Sequence, residues 1–119
     1  MIRPLKVSDA EALVQICYSA LEHTCTPELL RRRIQQLSGR DEYFLAAFED
    51  TSSGEPVGFI QAQKYELLYG ADGWNIIALA VLPEHQHQGI GKALLAALEE
   101  HARKGGFTFI RLNSRIERP

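Results

Sequence analysis

The residues best suited to chemistry lie in one short stretch, Gln86-His87-Gln88-Gly89-Ile90-Gly91-Lys92-Ala93. It follows an apolar run, Ala78-Leu79-Ala80-Val81-Leu82, and leads into helical spacing. A strand that enters a helix through glycines aims backbone N–H groups at one spot. The first such groups of a helix have no partner inside it. The helix dipole adds partial positive charge there, worth ~0.3–1 kcal/mol to an anion at an exposed end. The chemistry on offer is therefore phosphate binding by bare backbone, with glycine leaving room for close approach.

Spacing sorts the known cradles. A P-loop needs glycine five residues before Gly91 and Ser or Thr after the lysine; Gln86 and Ala93 stand there. A dinucleotide fold needs Gly or Ala three residues after the second glycine, where the chain has Leu94. The pattern Q/R-x-x-G-x-G/A is met in full by Gln86 to Gly91.

With the Leu79-Ala80-Val81-Leu82-Pro83-Glu84 strand end before it, this stretch resembles the GNAT family of acetyl-CoA-dependent N-acyltransferases. Ile2-Arg3-Pro4 with Ser8-Asp9-Ala10 resembles the family's first strand and helix start, and Val57-Gly58-Phe59 its third strand. The resemblance implies transfer of an acetyl group from acetyl-CoA to a primary amine, by direct attack in a ternary complex. Gln88, Gly89, Ile90, Gly91, Lys92 and Ala93 would offer N–H groups to the pyrophosphate, with Gln86 and His87 beginning the motif. Leu79, Ala80 and Val81 would run beside the pantetheine arm, Val81 N–H serving as donor to the thioester carbonyl. Asn113 would reach the pantetheine or simply end a strand. The Lys92 side chain would add charge to a phosphate or face solvent.

Many family members carry a glutamate on the strand before the motif as general base. Here that strand reads Trp74-Asn75-Ile76-Ile77-Ala78, without a carboxylate. Asn75 would position a water that carries the proton away, or Asp72 or Glu66 would serve from the turn side. A catalytic role is therefore assigned to Val81 and Asn75. The acceptor would be chosen by the link between the first two helices and by the Leu67–Gly73 turn, where Glu22, Glu66 and Asp72 either attract a cationic amine or are solvated charges. The alternative to an enzyme is a non-catalytic acyl-CoA-binding or interaction module of the same fold.

Composition bounds these readings. With 119 residues, 45% hydrophobic, the chain makes one domain with a core. A net charge of −2 argues against a general nucleic-acid binder, and no apolar run approaches the ~20 residues of a membrane span. The start, Met1-Ile2-Arg3-Pro4, lacks the apolar core of a signal peptide, so a cytoplasmic protein is expected. Two cysteines, Cys17 and Cys25, are too few for a disulfide framework and read as reduced thiols. His85 and His87, two apart beside Glu84, lack a clear third ligand, and no metal is expected.

The elements that must position this stretch follow in order. Ile2 to Lys6 is a strand. Ser8 caps a helix, with Glu11 completing a capping box and Ala12, Leu13, Ile16, Cys17 and Ala20 as its stripe. Thr26 and Pro27 open a second helix, on which Arg31, Arg32 and Arg33 read as a solvated face. Tyr43 to Glu49 and Pro56 to Leu67 form a hairpin, with Val57, Phe59, Gln61, Gln63 and Tyr65 on one face. Trp74 to Leu82 is a strand covered on both sides. A helix runs from about Gly89 to Lys104 and stops at Gly105. Phe107 to Asn113 returns parallel through a right-handed crossover. The expected class is α/β, a GNAT-like mixed central sheet in the order βααβββαβ over residues 1–119. The family continues with another helix and two strands, so a C-terminally truncated domain is expected. It would bind acetyl-CoA weakly, turn over little, and self-associate or dimerise through the edge of Phe107–Asn113.

Overall fold

The computed structural model describes residues 1–66, 68–70, 72–107 and 109–112. The elements are β1 (Ile2–Pro4), α1 (Ala10–Leu21), α2 (Pro27–Leu37), β2 (Tyr43–Glu49), β3 (Pro56–Tyr65), β4 (Gly73–Val81), α3 (Ile90–Lys104) and β5 (Phe109–Leu112), with 3-10 turns at Val7–Asp9 and Pro83–His85. They form a five-stranded sheet in the order β1-β2-β3-β4-β5. The first three pairings are antiparallel and β4–β5 is parallel. The expected order βααβββαβ and the parallel return are both present.

Each face of the sheet carries its own core. On one, α3 sets Ile90, Leu94, Leu98 and Ala102 against Ile60, Ala62, Trp74, Ile76 and Val81. On the other, α1 and α2 set Leu13, Ile16, Cys17 and Ile34 against Ala47, Phe59 and Ala80. The stripe of α3 recurs every four residues or so, as an amphipathic helix on a sheet requires. Burial on both faces accounts for the apolar run of β4.

Alternation fails at two places, each a β-bulge. In β4, Gln61 pairs with Ala78 but Ala62 pairs with Ile76, so Ile77 is an extra residue. The bulge reverses the phase of the strand. Trp74 and Ile76 face α3 before it, and Leu79 and Val81 face α3 after it. The second bulge lies between Phe48 and Glu49, opposite Val57. It sends Val57 into the α3-side core, away from Phe59, contrary to strict alternation.

The start of α1 also departs from expectation. Ser8 and Glu11 form no capping box; Val7–Asp9 is a 3-10 turn, and the Asp9 carboxylate accepts from Lys6 N–H at 2.8 Å. Asp9 is buried and meets Arg3 through two parallel bonds, of 2.8 and 2.9 Å. The Nε–H of the same guanidinium donates to Glu49. The triad ties β1, β2 and the entrance of α1 together. Burial alone would raise the Asp9 pKa. The Arg3 bonds, the Lys6 N–H and the Arg3 charge outweigh it and hold the carboxyl below its ordinary value. Of the three arginines on α2, Arg31 is not simply solvated. It bonds Glu11 of α1 at 2.6 Å and Glu28 at 3.3 Å. Thr26 does cap α2, accepting from Leu29 N–H at 3.1 Å.

Candidate functional site

The loop from β4 to α3 owes its shape to two residues with positive φ, His87 at 65° and Gly89 at 83°. A left-handed residue followed by the right-handed start of a helix turns successive N–H groups the same way, forming a nest that suits an anion. The first bond within α3 is Ala93 N–H to Gly89 O, 2.9 Å. Ala93 was expected to offer its N–H to a ligand; that group already has an acceptor. The N–H groups of His87, Gln88, Gly89, Ile90, Gly91 and Lys92 have no acceptor among the described residues. All of these residues but Gln88 line a cleft of about 290 Å³ that Val81 also borders, with no carboxylate in the lining among the described residues.

Packing leaves this cleft open. A Cβ on Gly91 would meet only Val81 Cγ2, at 3.9 Å, so glycine there is not demanded by the protein's own contacts. The space it leaves faces the cleft. Gly58 on β3 is different. A Cβ there would lie 3.1 Å from Ala80 O, 3.2 Å from Ile90 Cγ2 and 3.3 Å from Val81 Cγ2. Glycine at that position lets β3, β4 and the first turn of α3 close on one another, which fixes the cradle against the strand.

The Gln86 side chain turns back, its Nε2–H donating to Val81 O at 3.1 Å. Leu82 N–H donates to Val57 O across to β3 at 2.8 Å. Peptide directions alternate along a strand. The backbone groups of Val81 and Leu79 therefore point away from β3, whereas Ala80 is turned toward it, opposite Phe59. Ala80 cannot give its N–H to a ligand at the open edge; Leu79 and Val81 can. Pairing with β5 covers only Gly73 to Ile76, so among the described residues β4 has no strand partner on that edge beyond Ile76. Asn113 lies outside the described residues.

At the other end of β4, Asn75 faces the side away from Trp74 and Ile76. Its Oδ1 is shielded from solvent and has no hydrogen-bond partner among the described residues. A buried acceptor without a donor costs about 1–3 kcal/mol, and such atoms call for a ligand or a water. Gln63 stands opposite Asn75 on β3, and Arg111 opposite it on β5. Glu66 is exposed and lies beyond the end of β3. The Leu67–Gly73 turn includes Leu67 and Ala71, which lie outside the described residues; Leu68 and Tyr69 within it are exposed.

The cysteines and histidines contribute no rival centre. Cys17 is buried and Cys25 is half-buried. Burial first, and then the neighbouring Cys25, push the Cys17 thiol up to about 12. A thiol held in that state is a poor nucleophile. Among the described residues, no three of His, Cys, Asp and Glu come together as a metal site. His101 is exposed, with its ring tilted against Phe44 at 4.9 Å and edge-on to Trp74 at 5.3 Å between centroids. No helix is long and apolar enough to cross a membrane among the described residues.

Residues 8–117 match the family model described as the acetyltransferase (GNAT) family. A spermidine N(1)-acetyltransferase of Thermoplasma acidophilum is 28% identical, over 93% of this chain and 75% of that protein. Among solved structures, a GNAT family acetyltransferase of Staphylococcus aureus superposes with a TM-score of 0.82 at 25% identity, over 96% of this chain and 85% of the other. Glucosamine-6-phosphate N-acetyltransferase of Arabidopsis thaliana superposes with a TM-score of 0.81 at 19% identity, over 95% and 80% of the two chains.

Proposed function

Because the chain belongs to the acetyltransferase (GNAT) family and is an N-acetyltransferase by class, we propose that it moves the acetyl group of acetyl-CoA to a primary amine by direct attack, with both substrates bound together. The observation that carries this reading is the run of acceptor-free N–H groups from His87 to Lys92, set around a cleft beside the open edge of β4. Acetyl-CoA, when bound, supplies an activated acyl carbon on a thioester.

The chain's own residues divide the work. His87, Gln88, Gly89, Ile90, Gly91 and Lys92 hold the diphosphate through backbone N–H groups. Leu79 and Val81 offer their outward peptide groups to the amides of the pantetheine arm. The negative charge that develops on the thioester oxygen is met by one of these two N–H groups, preorganised by the strand. The Gln86 side chain holds the Val81 carbonyl and keeps the loop against the strand end.

An ammonium has no lone pair, so the amine must lose a proton before it attacks. With Asn75 where a carboxylate would serve as base, the shielded Oδ1 orients a water that takes this proton. The amide cannot itself be the base, which favours slow chemistry. The same observation favours a second reading, a non-catalytic acyl-CoA-binding module of this fold.

Amine-dependent thiol release, followed with product mass, tests the proposal. The expected result is one thiol and one N-acetylated amine formed together, above the uncatalysed rate. Binding of acetyl-CoA without release for any amine in a broad panel would contradict it and establish the module.

A further inference from the structure

We propose that the acceptor amine carries an anionic group, a carboxylate or a phosphate, which Arg111 recognises. The inference rests on the acyl-transfer reading above and names the substrate class for it.

Gln63, Asn75 and Arg111 are cross-strand neighbours on β3, β4 and β5. Asn75 lies between Trp74 and Ile76, and Gln63 follows Ala62, all of which face α3. The row therefore lies on the face of α1 and α2. Those helices cover Ala47, Phe59 and Ala80 further along the sheet. Their cover includes Gln61, which borders the α1–α2 core together with Arg33 and Leu45. The row beyond Gln61 thus continues this face as a polar strip, with Gln63 and Asn75 half-buried and Arg111 exposed, next to the edge of β4 that has no strand partner among the described residues.

Among the described residues this strip carries one cation, Arg111, and no carboxylate. No Asp or Glu pairs with Arg111 among the described residues. Its guanidinium lies 4.6 Å from the centre of the Tyr65 ring. Tyr65 is in turn braced edge-on by Phe109, with centroids 6.0 Å apart. Stacking on an aromatic face fixes the plane of an arginine and leaves the edges of its fork free to bind carboxylate or phosphate. On the same side of the sheet, Arg3 is engaged by Asp9 and Glu49, and Arg31 by Glu11 and Glu28.

Spacing sets the size of the acceptor. Neighbouring strands lie about 4.8 Å apart, so an amine near Asn75 and an anion on Arg111 are separated by one to two such steps. That fits a compact amino acid or amino phosphate. A polycation would place a second positive charge against Arg111.

Matched pairs test this: β-alanine with its amide, phosphoethanolamine with ethanolamine, and spermidine as polycation. Thiol release gives kcat and KM, and calorimetry on the CoA complex gives amine binding where turnover is slow. The anionic member of one pair should exceed its neutral partner and spermidine at least tenfold in kcat/KM or affinity, and the favoured pair tells carboxylate from phosphate. Arg111→Gln should raise KM for that anion at least tenfold, leave kcat within about twofold, and leave the neutral amines unchanged; Arg111→Lys should restore part of the loss. Equal use of charged and neutral members, preference for spermidine, or an Arg111→Gln loss shared by all amines would overturn the assignment. Failure of CoA to stabilise the protein would bring down the acyl-transfer reading itself, whereas CoA binding with indifferent pairs brings down only the role of Arg111.

Discussion

On the proposed reading, the two ends of β4 would solve recognition in opposite ways. At its C-terminal end, near Val81, everything is backbone: N–H groups from one continuous segment, with glycine where a side chain would intrude. At its N-terminal end, near Asn75, everything is side chain: an amide, a second amide and a guanidinium drawn from three strands far apart in sequence. The faces differ in the same sense. The α3 face beside the cradle packs an apolar core, while the α1–α2 face adds a partly buried ion triad around Arg3. A cradle made of backbone tolerates side-chain change and fixes one ligand group. A strip made of side chains can be altered residue by residue, so it is where relatives of one fold can come to differ in acceptor.

Four substitutions sharpen this contrast, beginning with the strongest. Arg3→Met leaves Asp9 with a charge in a nearly closed site and should cost about 3–5 kcal/mol of stability at neutral pH, read by denaturant unfolding. The wild-type contribution of Asp9 belongs to a carboxyl whose folded pKa is lowered. It is fully present above the unfolded value of about 3.9 and is lost as pH falls through the folded value. In Arg3→Met the stranded carboxyl protonates instead, so the gap between variant and wild type should narrow below about pH 4.

Gly91→Glu puts a carboxylate into the cradle from a position with room for it. Affinity for CoA should fall at least about 100-fold, some 2.7 kcal/mol, with thermal unfolding close to wild type. Gly58→Ala forces a Cβ against Ala80 O and Ile90. It should cost about 1–3 kcal/mol, and CoA binding should weaken with stability because the same atoms seat the start of α3. Asn75→Leu should lower kcat about tenfold, a difference of ~1.4 kcal/mol, and leave CoA affinity unchanged. A loss of CoA affinity in that variant would erase the division between the two ends.

What could be read in the chain follows the same division. The motif was legible because it is local: Gln86, Gly89 and Gly91 fall within six residues, and the backbone chemistry proposed for them depends on their spacing alone. The order of elements was legible from periodicity in α1, α2 and α3 and from the hairpin of β2 and β3. The phase of β4 was not. Its apolar run has no alternation to reveal a bulge at Ile77, so only pairing with β3 shows which residues face α3. Val57 escaped for the same reason.

Asn75 was visible as the one polar residue in that run, and its orphaned Oδ1 now gives it a physical claim. Arg111 was not singled out, since its neighbours in the strip are residues 63 and 75 and proximity there is made by the sheet. The Ser8 and Glu11 pattern fits a capping box, but Asp9 is held by Arg3 and Lys6 instead. A buried charge pair between residues six apart leaves no periodic trace.

The most direct test of the central claim is the affinity of CoA, by calorimetry, for the wild type, for Gly91→Glu and for a variant carrying His87→Gly and Lys92→Ala together. If the cradle is made of backbone, the double variant should stay within about threefold of wild type while Gly91→Glu loses binding. Loss of binding in the double variant, with Gly91→Glu unaffected, would show that side chains hold the ligand and would contradict the account.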